Sequence, residues 1–261
     1  MIRKPKFTPN WKYAIGELTL IFLGISLAIW FNNWNDEQKR DKLEIEILKQ
    51  IYKDVRASKG DIDSDLYQLT LGLESHLNID KYIREDVPYV DSMCFDFHWL
   101  KKDEYTFPIR AGYENLKASG LDLIKNDSIL ELIQYTFEAG YPRISRSTPF
   151  YPDLDEYYTE FYKQHFLPNS NMKLGFKRKT GEFSITYPYL DRIGNRLVPA
   201  QIGYVPRDFE ALKKNPEFLV MLRQSFDYRT YKVRQYQRVQ LICEQLLSKI
   251  EKELGEDVLT Q

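Results

Sequence analysis

The sequence predicts a mainly α protein: one N-terminal transmembrane helix continuing into an antiparallel bundle of long helices, with a small β-hairpin inserted late in the chain. Three observations predict it. The stretch 11–35, WKYAIGELTLIFLGISLAIWFNNWN, is the only segment apolar enough to leave water. Apolar residues then recur at helical spacing through two long stretches, 36–84 and 216–254. Between Met172 and Tyr187 the period drops to two, which marks strands.

The span comes first. Leu18 to Phe31 is broken only by Thr19, Gly24 and Ser26, and Tyr13 to Gly16 extend it to the ~20 residues that a bilayer core requires. Trp11 and Tyr13 stand at one end and Trp30 and Trp34 at the other, where amphipathic rings settle as interfacial anchors. Bulky Trp30, Phe31 and Trp34 follow in place of a small-residue cleavage pattern, so the segment reads as an uncleaved anchor. The expected layout is a basic cytoplasmic tail at 1–12, a transmembrane helix at 13–34 and a soluble helical domain at 35–261. Arg3, Lys4, Lys6 and Lys12 precede the span without an acid among them, which favours a cytoplasmic N-terminus and a domain across the membrane.

The bundle follows. Residues 36–84 read as one helix carrying Leu43, Ile47, Ile51, Val55, Ile62, Leu66, Leu69, Leu73 and Leu77 on one face. Gly60 and Gly72 each weaken it by up to ~1 kcal/mol relative to alanine, which favours a bend near Ser58 to Asp61, and Pro88 stops it. The aromatic stretch from Asp91 to Pro108 shows no clear period. A short helix from Gly112 ends at Gly120, and Ser128 with Glu131 forms a candidate capping box for a helix closed by Gly140 and Pro142. Another helix covers 153–166, with Leu154, Tyr158, Phe161 and His165 on one side, and ends at Pro168. Then comes the hairpin at about 172–187, where Met172, Leu174 and Phe176 alternate, Lys179-Thr180-Gly181 turn, and Phe183, Ile185 and Tyr187 alternate. Residues 195–205 read as loop or edge strand and 206–214 as a helix. The last helix, from Pro216 to Gly255, carries Leu222, Phe226, Val233, Tyr236, Leu247, Ile250 and Leu254 on one face; it pairs antiparallel with the first long helix.

Two stretches resemble a known family. YAIGE, an apolar run and NNWN at the start, together with YENLKASGLDLIKND at 113–127, are similar to motifs of a single-pass membrane family of Bacteroidetes-type bacteria with no assigned activity. One departure is that IWFNNWN stands where a polar residue such as Gln is expected. The resemblance implies a bacterial membrane protein and brings no activity with it; with the charge bias above, the expected location is the inner membrane with the domain on the periplasmic side.

Chemistry leaves little local trace. Asp61, Asp63 and Asp65 have the opening spacing of a calcium loop, but Leu66 takes the position that demands glycine and Gly72 that of the bidentate glutamate. His76, His98 and His165 form no ligand pair and sit among apolar neighbours, as structural histidines do. Cys94 and Cys243 have no CxxC partner, and the antiparallel layout places them at opposite ends, too far apart to bridge. Phosphate loops and serine elbows are absent from the sequence. Beyond the span 33 basic and 37 acidic residues remain, a balance that does not point to nucleic acid. The basic run KLGFKRK at 173–179 reads as a solvated turn.

Two functions fit. The favoured one is a non-enzymatic sensor, receptor or scaffold binding a protein or small ligand through the anchored bundle; the alternative is an anchored enzyme assembled from distant residues. Catalytic residues, cofactor and metal are all expected to be none. The expected partners are the lipid bilayer and a second membrane helix, from another copy or another protein. Glu17, Gly24 and Ala28 fall on one face at steps of seven and four and would make that contact.

Overall fold

The computed structural model describes residues 11–146, 148–171, 177–180, 183–186, 190–193, 196–199 and 202–255, with backbone alone for Lys12 to Ala14 and for the strands between 177 and 199. The fold is mainly α with small antiparallel β-hairpins. Helix α1, Trp11–Arg84, is 74 residues long, or about 110 Å at ~1.5 Å per residue. It runs unbroken through Ser58 to Asp61, where Ser58 Oγ donates to Asp54 O at 2.7 Å, and it ends one turn before Pro88, at a bend where Asp86 takes φ 50°. Its apolar N-terminal segment, long enough to cross a membrane, is wholly exposed in the described structure.

Beyond that segment α1 pairs with α8, Pro216–Leu254, and the pairing is antiparallel as expected. Tyr52 Oη donates to Glu251 at 2.6 Å, Lys59 lies 3.2 Å from Glu244, Gln240 donates to Asp63 at 2.7 Å, and His76 meets Ser225 at 2.8 Å. Ile47, Ile51, Val55, Ile62 and Leu69 of the predicted face are buried. Each such side chain contributes ~1.5–3 kcal/mol. The stripe's ends differ: Leu43 and Leu77 remain exposed.

Between 84 and 216 the chain wraps this pair. Helix α2, Met93–Lys101, occupies the unassigned aromatic stretch and buries Phe97, Trp99 and Leu100. Helix α3, Ala111–Ser119, enters against α1 with Gly112 N donating to Asp54 at 2.7 Å; a Cβ at Gly112 would lie 2.8 Å from Ile51 N, so the close approach requires glycine. Helix α4, Asp127–Gln134, is capped by Asn126, whose side chain accepts from Ser128 N, and not by the Ser128–Glu131 box. Nor does it stop at Gly140. A π-helical turn, Tyr135–Gly140, leads directly into α5, Tyr141–Ile144, because Pro142 falls in a first turn where its missing N–H is not needed.

Helix α6, Leu154–His165, matches expectation and is capped by Asp153. Strand β1, Phe166–Pro168, then pairs antiparallel with β6, Tyr204–Pro206, so the end of the stretch read as loop or edge strand is a strand. The expected hairpin is present as β2, Lys177–Thr180, and β3, Phe183–Thr186, with Thr180 facing Phe183. Its register corrects the predicted turn: Lys179 and Thr180 belong to the ladder, while Met172, Leu174, Phe176, Gly181 and Tyr187 lie outside the described residues. A second hairpin, β4, Leu190–Ile193, with β5, Arg196–Pro199, was not expected. Helix α7, Phe209–Lys213, is shorter than predicted and leads into α8.

Candidate functional site

The two halves of the α1–α8 pair differ in chemistry, and the candidate site lies in the half remote from the apolar segment. The near half is an aliphatic core in which Ile47, Ile51, Val55 and Ile62 of α1 meet Val239, Cys243, Leu246 and Ile250 of α8. At its base the 113–127 stretch meets α1 just past NNWN. Arg40 pairs with Asp122 at 2.8 Å, Lys125 with Asp41 at 2.6 Å, and Lys125 N donates to Glu44 at 2.8 Å. The 113–127 motif thus docks the domain onto α1 about 9 Å past Trp34, at ~1.5 Å per residue.

The far half buries polar side chains on the same helical face. Reading α8 in steps of three and four from Met221 gives Ser225, Arg229, Lys232 and Tyr236, all buried. Arg229 and Lys232 were missed because apolar periodicity skips them. The signal that could have found them is the unbroken step itself, which runs straight through both.

These side chains hold an extended strap, residues 102–110, between α2 and α3. Among the described residues the strap pairs with no strand, and helical side chains meet its polar groups. Arg229 Nη2 donates to Leu100 O at 3.0 Å and Lys102 O at 2.7 Å. Tyr236 Oη accepts from Thr106 N at 3.0 Å, Thr106 Oγ1 donates to Asp65 at 2.6 Å, and Ile109 N donates to Ser58 Oγ at 3.0 Å. Burial, with help from neighbouring Glu104 and Asp61, lifts the Asp65 pKa above the usual carboxylate value.

Lys232 and Asp103 form the centre of this network. Their ions stand 2.7 Å apart with both side chains 1% exposed. The ammonium also lies 3.3 Å from the Tyr105 ring centroid, a cation–π contact. Asp103 accepts further from Tyr105 Oη and from Leu154 N at the start of α6, both at 3.0 Å. Burial pushes the Lys232 pKa down to about 8 although Asp103 pulls it up. Arg229 is completely buried, with Nε and Nη1 unpartnered among the described residues, and a Cβ at Gly72 would overlap its guanidinium. Gly72 therefore makes room for a cation, where the sequence showed only a weak point in a helix.

One turn further on, His76 contacts Ser225. His76 Nδ1 donates to Gly72 O at 2.8 Å, which leaves Nε2 to accept from Ser225 Oγ at 2.8 Å, and Tyr158 Oη lies 2.5 Å from the same oxygen. Burial and the Arg229 charge hold His76 neutral, its pKa lowered to about 3. A neutral imidazole on a serine hydroxyl is a nucleophile–base geometry. Here both side chains are sealed, so a substrate carbon reaches Ser225 only if α1 and α8 part. The arrangement fixes the helices.

At His76 the pair opens a cleft of about 250 Å³, lined by the buried His76 and Leu222 and walled by Leu77, Asp80 and Ile83 on α1 and by Leu219, Arg223 and Phe226 on α8. Leu77 is 53% exposed, Leu219 39% and the neighbouring Val220 56%.

The remaining sequence candidates fall elsewhere. Glu17, Gly24 and Ala28 lie exposed on α1, as do Trp11, Trp30 and Trp34; the Tyr13 side chain is outside the described residues. Asp61, Asp63 and Asp65 alternate along helix α1, where Asp63 engages Lys59 and Gln240 and Asp65 engages Thr106, and no acid, histidine or cysteine cluster suited to a metal occurs among the described residues. Cys94 and Cys243 are both free and buried, in separate clusters. Burial raises their pKa values to about 12 and about 11, so neither is a thiolate at neutral pH. His98 stacks near Tyr204 and His165 on Phe161, as structural histidines. No family model, curated protein or solved structure matches this chain.

Proposed function

We propose that this chain is a membrane-anchored, non-enzymatic module that holds a helical domain beside the bilayer to bind a protein or small ligand. The observation that carries the reading is the continuity of α1: an apolar segment on which nothing among the described residues packs runs without a linker into the helix at the centre of the domain. The sealed Ser225–His76 contact supports a binding role over catalysis. The positive-inside bias sets the N-terminus in the cytoplasm and the domain across the inner membrane. The span face of Glu17, Gly24 and Ala28 is left for a second membrane helix, and single cysteines from Leu20 to Ala28 should crosslink with helical periodicity.

Alkaline carbonate extraction of cells tests the anchor, and an impermeant maleimide on Leu241→Cys, a surface position of α8, tests the side. The expected result is retention in the pellet with labelling in intact spheroplasts. Release into the supernatant refutes the anchor, and labelling only after lysis reverses the topology. A stoichiometric partner recovered from detergent extract supports the binding role; turnover on a hydrolase substrate panel would replace it with the enzyme.

A further inference from the structure

We infer that the far cleft is the interface of a parallel homodimer, in which two anchored copies pack about a two-fold axis normal to the membrane. The inference rests on the membrane reading above, because two chains anchored the same way in one bilayer can be related by a closed two-fold only along that normal.

That axis sets α1 of one copy against α8 of the other, and the register of the pair decides what then meets. Within one chain His76 lies level with Ser225. Stepping one turn along each helix brings Asp80 level with Met221, so Arg223 stands only about 3 Å away in height. By the same step Ile83 is level with 218, next to Leu219, and Leu77 with 224, two residues from Phe226. Across the axis Asp80 of one copy therefore faces Arg223 of the other, Leu77 faces Phe226, and Ile83 faces Leu219. The face is self-complementary in charge and in apolar character, as an isologous contact must be. Asp80 and Arg223 are free to turn across the axis, since their present partners Arg84 and Asp227 are surface neighbours one helical turn away. The exposed Leu77, Leu219 and Val220 would lose their contact with water.

The test uses the full chain in native membranes. Two differently tagged copies, one carrying Asp80→Cys and one Arg223→Cys, are co-expressed and treated with a short thiol crosslinker, while each variant alone and the parent chain serve as controls. The expected result is a mixed-tag crosslink at least about tenfold stronger than either same-variant crosslink. Charge exchange sharpens it. D80R alone and R223D alone should each lower the dimer fraction about tenfold, through like charges across the axis, and the double exchange should restore it to about the parent level. Thermal unfolding in detergent checks that these surface variants remain folded. Equal or stronger same-variant crosslinks, an uncrosslinked monomer, or a product with a different protein in place of the second copy would each overturn the dimer. Carbonate extraction of the same sample separates the two readings. A chain in the pellet without the mixed crosslink refutes the dimer alone, whereas a chain in the supernatant removes the shared anchor and both.

Discussion

The near half of the α1–α8 pair is cemented mainly by aliphatic side chains, whereas the far half adds to its own apolar cluster a buried arginine, lysine and tyrosine bonded to a strap and a histidine bonded across to Ser225. The contrast shows two ways for the same helices to stay together. Dispersion and burial act without direction, so the near half tolerates exchanges of similar volume. Hydrogen bonds and ion pairs have direction, and in the far half they specify which residue of α8 meets which of α1. The far half is accordingly brittle: a buried charge that loses its partner has no water to turn to.

The sharpest way to break this contrast is Asp103→Ala. It strands Lys232 in the interior, and the expected loss is about 3–5 kcal/mol of stability by denaturant unfolding of the detergent-solubilised chain. Lys232→Met combined with Asp103→Asn should recover part of that loss; if the single variant unfolds like the parent, the ion pair does not hold the strap. Gly72→Ala comes next. Although alanine is the better helix former, its Cβ drives into the Arg229 guanidinium, and a loss of about 1–3 kcal/mol is expected.

His76 gives a pH signature. Its folded pKa of about 3 lies below the ordinary 6.5, so between those values the unfolded chain binds a proton that the folded one refuses. Stability should therefore fall as pH drops through that window, by ~1.4 kcal/mol per unit from this group, and His76→Asn should flatten the slope by that amount. The smallest effect is a gain. A Cβ at Gly60 meets open space, so Gly60→Ala should stabilise the chain by up to ~1 kcal/mol, opposite in sign to the same change at Gly72 twelve residues on.

The same contrast explains what could be read from the sequence. Ile47, Ile51 and Val55 announce a helix face because nothing but burial spaces isoleucine and valine in fours. The pairing with α8 followed from two such stripes. The strap could not be read, because the partners of its backbone groups stand far along the chain: Thr106 is answered by Tyr236, and Ile109 by Ser58. The spacing of Ser128 and Glu131 suggests a capping box, whereas the cap is Asn126, whose backbone is extended with φ −89° and ψ 99°. The cleft was invisible for another reason. Leu77 and Phe226 look like the ends of two core stripes, and only the structure shows that one is half exposed and both border a gap.

An unbroken α1 also makes compass bearing a property of the protein. Because 34 and 40 belong to one rod, the direction the domain faces is locked to the direction the apolar end faces. Adding a single residue between them would raise the domain by only ~1.5 Å but swing it through ~100° about the rod, while seven added residues would lift it ~10 Å and leave it within ~20° of its original heading. Height and heading can thus be varied separately by the length of an insertion. A process that reads the heading would fail with one added residue and survive with seven.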